Sequence, residues 1–216
     1  MIDWFPPSAT DNPARSLARW HGIVSLRRAA RAIDALESST EGHSERVADL
    51  AARIAREVGW SLRRSEELRE AGRVHDIGKA CIPQGILQTP GPLSPEEYEV
   101  VKEHAALGAD AVEAVLLPRQ VHWIRHHHER WDGRGYPSGL AGEEIDDGAL
   151  ILAMADAWDA MTHRSWAGAA LTPAIALEEC RRESGRQFAG WAVAALERVL
   201  EKRRPRFGRR PLVTAA

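Results

Sequence analysis

Three consecutive histidines run into an acid and two glycine-bearing turns at residues 126 to 137, HHHERWDGRGYP. Histidine is the commonest metal ligand, because its neutral imidazole offers a lone pair near neutral pH. Neighbouring positions on a helix are about 100° apart, so only two of three adjacent side chains can converge on one point. His127 and His128 are the pair expected to converge, with His126 facing elsewhere as a packing residue. A pair of imidazoles needs partners, and the chain carries donors of the same kind in four other segments: His43 in GHSERVA, His75 and Asp76 in VHDIGK, His104 in KEHAALG, and Asp156 and Asp159 in MADAWDAMT. Imidazole and carboxylate donors without thiolate favour iron, manganese or another borderline divalent ion over a structural zinc site.

Helices must bring these donors together. From Pro13 to Leu36 apolar residues recur at helical intervals and predict one or two amphipathic helices. The capping-type residues of SSTEG precede a helix with Val47, Leu50, Ala51, Ile54 and Val58 on one face and His43 in its first turn. Gly59 ends that helix and Ser61 caps the next, which is predicted over about 62–78 and brings Leu68, Ala71, Gly72 and His75 to one face. Lys79 follows one turn after His75 and places an ammonium beside whatever those residues bind. Ser94-Pro95-Glu96-Glu97 reads as a capping box with proline in the first turn, opening a helix that carries His104 and, at Gly108, room for close packing. A helix from about Arg119 delivers the histidine triplet near its end, and residues 131–147 form a glycine-dense loop. Further helices start near Asp147, with Asp156, and at Thr172-Pro173, and a last one holds Trp191 to Leu200. No stretch sustains period-two alternation, so the fold class is all-α.

At 216 residues the chain can bury one substantial core. Its formal net charge of −2 gives no global attraction to nucleic acid or an anionic membrane, so no nucleic-acid partner is expected and an anionic substrate must be drawn locally. Two cysteines without CxxC spacing suit a reducing compartment; Cys81 reads as an apolar core position. No signal-peptide pattern opens the chain and no run approaches the roughly 20 apolar residues that span a bilayer, so a cytoplasmic location without a membrane segment is expected. The organisation expected is an arm and the start of a leading helix over 1–24, one domain over 25–200, and a basic, solvated tail over 201–216.

HDIGK at 75–79, HHERWDG at 127–133 and GYP at 135–137, in this order, resemble the HD-GYP family within the HD superfamily of metal-dependent phosphohydrolases, over roughly residues 25–200. The resemblance implies a compact helical bundle around a binuclear site. One ion would take His43, His75, Asp76 and Asp156; the other would take Asp76, His104, His127 and His128, with Asp76 bridging. Iron or manganese is implied, with nickel, cobalt, zinc and magnesium left open. Some members hold a third ion through a glutamate four residues before the first histidine; Ser39 stands there, so two ions are expected. Two ions roughly 3.5–4 Å apart activate a water and stabilise the attacking and leaving oxygens of an in-line displacement at phosphorus.

The activity implied is hydrolysis of cyclic di-GMP to linear pGpG, and in some members on to GMP, in bacterial second-messenger signalling. Asp76 and Lys79 would be the catalytic residues, Lys79 neutralising a phosphate oxygen. Tyr136 would shape the pocket rim in a Gly-Tyr-Pro loop that also offers a surface to a signalling protein, and Glu129, Asp132 and Asp159 would brace the loop and the ligands. The chain departs from the family at 159–168, where DAMTHRSWAG replaces the common DALTSxRxYR: Arg164 substitutes for the arginine out of register, and Ala167 stands at the later basic position. Those departures support one alternative, a weakly active or inactive module that binds a cyclic dinucleotide or a protein; a second alternative keeps the metals and acts as a phosphodiesterase on another cyclic or linear dinucleotide.

Overall fold

The computed structural model describes residues 13–36, 42–163 and 170–202, so Ser39, Arg164 and Ala167 lie outside it. The regular elements among the described residues are all helices, and the only β-type pairing there is an isolated bridge between Ser184 and Phe188. The leading segment forms a single helix, α1 (Pro13–Leu36). It is followed by α2 (His43–Glu57), α3 (Leu62–Gly72), a 3-10 turn at Ile77–Cys81 and the short α4 (Gln84–Leu87). The chain continues through α5 (Pro95–Val112), α6 (Pro118–Arg125), a 3-10 turn at Gly142–Glu144, α7 (Asp147–His163), α8 (Pro173–Arg182) and α9 (Gly190–Glu201).

The core lies where α2 and α7 cross, with α3, α6 and α9 packed around them. On α2, Val47, Ala51 and Ile54 are fully buried along one stripe, the expected 3.6-residue pattern. The α7 sequence ALILAMA is apolar on every side, as a helix enclosed by neighbours must be. Full burial of a side chain such as Ile54, Leu68 or Leu152 stabilises the fold by about 1.5–3 kcal/mol each. Trp123 of α6 lies across the start of α7 where Gly148 has no Cβ to obstruct the indole, and its Nε1–H donates to Asp146 Oδ1 at 2.6 Å. Ser61 and Ser94 cap α3 and α5 as expected, and Ser94 forms the full capping box with Glu97.

One local expectation is corrected. The helix read over 62–78 stops at Gly72. Beyond it the chain tightens, with Val74 N–H donating to Ala71 and Ile77 N–H to Val74, while the His75 imidazole occupies the Gly72 carbonyl. His75 and Asp76 therefore sit in a tight turn that leads into the 3-10 segment. The capping-type residues at 38–41 lie outside the described residues, and among the described ones the start of α2 is supported from α1. Gly42 turns there with φ 70, and Asp34 from the end of α1 accepts from the Ser44 N–H at 3.0 Å and the Ser44 hydroxyl at 2.8 Å. One of the unpaired N–H groups at the helix start is satisfied from a neighbouring helix.

Candidate metal centre

His75, His104 and His127 are held in one way. Each Nδ1 donates to the carbonyl three residues earlier: Gly72 at 2.8 Å, Val101 at 2.7 Å and Ile124 at 2.6 Å. A carbonyl can only accept, so Nδ1 carries the proton and Nε2 is left as a lone pair turned inward. His43, the first residue of α2, reaches the same orientation through Asp159, whose Oδ2 lies 2.7 Å from its Nδ1. Arg46 in turn grips both oxygens of Asp159, at 2.7 and 3.0 Å.

The inward nitrogens surround Asp76, and its two oxygens face different partners. Oδ1 lies 3.3 Å from His104 Nε2 and 3.9 Å from His127 Nε2, whereas Oδ2 lies 3.6 Å from His75 Nε2 and 3.8 Å from His43 Nε2. Asp156, from the middle of α7, points Oδ1 at the second set, 3.2 Å from His43 Nε2 and 3.9 Å from His75 Nε2. His128 Nε2 stands 3.2 Å from His104 Nε2. The donor atoms fall into two groups, each within 4.8 Å: Asp76, His104, His127 and His128, and His43, His75 and Asp76.

These groups fit a metal ion on chemical grounds. The Nε2 atoms of His75 and His127 are buried and make no hydrogen bond, and an unmet buried polar atom costs about 1–3 kcal/mol. A cation among them would accept both lone pairs. Burial pushes the His75 imidazole down from its ordinary pKa, and burial with the neighbouring His128, His75 and His104 pushes His127 well down. His128 is lowered to about 3, chiefly by burial and then by His104. All three are neutral near pH 7, the form that ligates. For Asp76 burial works toward a higher value, but the Lys79 ammonium and the imidazoles of His75 and His104 outweigh it and hold the carboxyl well below the usual range. The centre thus combines neutral imidazoles with an ionised carboxylate.

Lys79 approaches Asp76 rather than His75, with Nζ 2.8 Å from Oδ2. The 3-10 geometry explains this, since three residues per turn set positions i and i+3 one above the other. A cavity of about 170 Å³ opens beside the donors, lined by the polar Lys79, Tyr136 and Asp156 and by the apolar Ile86, Leu87 and Leu93. Tyr136 stacks at 4.8 Å from His128, and burial raises its phenol pKa above the ordinary value. Glu129 accepts from the backbone N–H groups of Ser138, Gly139 and Leu140, at 2.7, 3.1 and 3.1 Å, and so ties down the loop that presents Tyr136. Asp132 pairs with Arg130 through two hydrogen bonds, at 3.0 and 2.8 Å, and accepts from the Arg134 N–H. His126 turns away from the donors onto His122 and Ser138.

Every donor predicted from sequence within the described residues comes together here. Cys81 does not behave as predicted: it is exposed, because the 3-10 turn carries it away from the core. Sequence reasoning missed Asp34, Gly78 and the α4 wall. A Cβ at Gly78 would collide with the His104 carbonyl and the Gly108 backbone, so Gly78 lets the turn carrying Asp76 lie directly on α5. Its position inside HDIGK was the available signal. No helix among the described residues is long and apolar enough to cross a membrane.

A family model described as an HD domain matches residues 29–190. A Thermotoga maritima protein named cyclic di-GMP phosphodiesterase is 44% identical over 131 residues, 59% of this chain and 36% of that protein. A Vibrio cholerae protein named 3'3'-cGAMP-specific phosphodiesterase 1 is 39% identical over 134 residues, 62% of this chain and 31% of that protein. The chain thus spans about a third of the length of these curated relatives. Among solved structures, an HDG"Y"P protein from Bdellovibrio bacteriovorus shares the fold, with a TM-score of 0.64 over 90% of this chain and 75% of that one, at 18% identity.

Proposed function

Because this chain belongs to the HD domain family, we propose that it is a metal-dependent phosphodiesterase that opens a cyclic dinucleotide, with cyclic di-GMP as substrate and pGpG as the first product. The observation that carries this reading is the division of Asp76, one oxygen toward His104 and His127 and the other toward His43 and His75. Of the side chains present, only a carboxylate can serve two cations with separate oxygens. Two divalent ions, iron or manganese by donor type, would supply Lewis acidity to the phosphoryl group and lower the pKa of an attacking water.

The protein's own residues supply orientation and charge. His43, His75, Asp76 and Asp156 form one ligand set, and Asp76, His104, His127 and His128 the other. The Nδ1 hydrogen bonds fix the imidazoles of His43, His75, His104 and His127 before any ligand arrives, so little reorganisation of these four is needed on binding. Lys79 lies at the cavity edge of Asp76, where its ammonium can shift onto a non-bridging phosphate oxygen as the substrate enters. Tyr136 closes the rim over His128 and limits access of bulk water.

A second substrate is favoured by one observation: the relatives divide between proteins named for cyclic di-GMP and for 3'3'-cGAMP at similar identity. Competition between the two dinucleotides in one assay decides between them. The principal test is anaerobic purification, elemental analysis, and cyclic di-GMP turnover with product identification on the same sample. Two ions per chain and a linear product are expected. Full metal content with binding but no product would replace the enzyme by a sensor, and an Asp76→Asn protein that kept its metals and its rate would sink the bridging role.

A further inference from the structure

The cavity beside the donors is too small for the ligand proposed for it. Sites for drug-sized ligands enclose about 300–1,000 Å³, whereas this one has about 170 Å³. One phosphodiester and its immediate surroundings can enter, and the rest of a cyclic dinucleotide must lie across the mouth.

What stands at the mouth is a face of α5. His104 lies within the donor group, Val101 three residues earlier lines the cavity, and Tyr98 three earlier again is 48% exposed. Residues three apart share a helix face, and six residues advance about 9 Å along the axis, a span on the scale of one nucleotide unit. Lys102 shares that face. Its Nζ lies 5.3 Å from the Tyr98 ring centre and 5.8 Å from that of Tyr136, so the ammonium is set between two aromatic rings. Tyr98 meets Tyr136 edge to face at 6.4 Å, and Tyr136 meets His128 at 4.8 Å. An aromatic path with a cation beside it therefore runs outward from the donors.

We propose that Tyr98 and Lys102 form an outer subsite for the distal half of a cyclic dinucleotide, the purine stacking on Tyr98 and the second phosphate pairing with Lys102; the inference rests on the function proposed above. A base offers a flat π-face that an exposed tyrosine can stack, and a phosphate offers an anion to the Lys102 ammonium. Lys102 is paired with Glu99 at 2.6 Å, but the Glu99 side chain is 70% exposed, and such surface pairs are weak enough to exchange for a phosphate. Ile86, Leu87 and Leu93 add apolar surface to the cavity lining, against which the flat ring of a base can pack.

The test is calorimetric titration of the metal-loaded full chain with cyclic di-GMP, presented as its hydrolysis-resistant phosphorothioate analogue, and, separately, with inorganic phosphate, which needs only the inner donors. Tyr98→Ala is expected to weaken cyclic di-GMP binding by about tenfold or more, from the contribution of one base–aromatic stack. Lys102→Gln is expected to weaken it and to flatten its salt dependence, and Glu99→Gln to leave it unchanged or tighter. Phosphate affinity should stay within about twofold of wild type in the two Tyr98 and Glu99 variants. Wild-type affinity for cyclic di-GMP in Tyr98→Ala would overturn the subsite alone, as would an equal loss for both ligands. Wild-type protein that takes phosphate but no cyclic dinucleotide would overturn the proposed function and the subsite with it.

Discussion

Gly78→Ala perturbs the point on which both donor groups depend. Gly78 lies in the 3-10 turn two residues after Asp76, and a methyl there would meet the carbonyl of His104 and the backbone of Gly108, all on α5. Backbone atoms cannot rotate aside as a side chain can. Restoring an ordinary contact of about 3.5 Å obliges the turn to withdraw from α5 by more than about 1 Å. Asp76 Oδ1 is 3.3 Å from His104 Nε2, so the same movement takes the shared carboxylate away from the α5 histidine. Overpacking of this kind costs about 1–3 kcal/mol, which for a chain of this size lowers Tm by about 2–12 °C. Calorimetry of metal-free protein reads the first effect, and metal content after equilibrium dialysis reads the second, with the ion shared by His104 and Asp76 expected to be lost first. A Gly78→Ala protein that melts at the wild-type temperature and retains both ions would refute the close-approach argument.

Three further outcomes follow from the same geometry. Asp159→Ala removes the acceptor that orients His43, and loss of such a supporting group is expected to lower metal affinity about 10- to 100-fold, measurable by competition with a fluorescent chelator. Glu129→Gln turns an amide N–H₂ toward a cradle of three backbone donors; loss of charged hydrogen bonds there costs about 1.5–3 kcal/mol, so Tm should fall by about 3–12 °C and KM for the dinucleotide should rise as the Tyr136 loop loosens. The metal-free protein should lose stability in acid. His75, His127 and His128 have lowered pKa values when folded, so below about pH 6.5 the unfolded chain binds protons that the folded chain refuses, and stability falls from there toward pH 3, where His128 titrates. A flat Tm between pH 7 and pH 5 in chelator would contradict the buried, neutral state of these imidazoles.

The donors were legible in the sequence because their chemistry restricts them to few residue types, and because each lies near a helix signal that sequence displays: His43 after a glycine start, His104 ten residues beyond a capping box, Asp156 within an apolar run. What was not legible depends on contacts between segments distant in the chain. The helix over 62–78 was read through its own periodicity, yet its end is set by the His75 imidazole taking the Gly72 carbonyl and by the fit of Gly78 against α5. In a continuous α-helix Lys79 would stack over His75, but in the tight turn it reaches the carboxylate of Asp76, so its charge acts on the group shared by both donor sets before it acts on a substrate. Asp34 shows the same limit from the other side. Nothing near residue 34 marks it as a cap for a helix that starts nine residues later, and only the return of α2 alongside α1 gives its carboxylate the Ser44 N–H. Local pattern thus identified which side chains carry the chemistry, while tertiary packing decided which atoms face which, and the division of Asp76 between two sets of imidazoles belongs to the second kind.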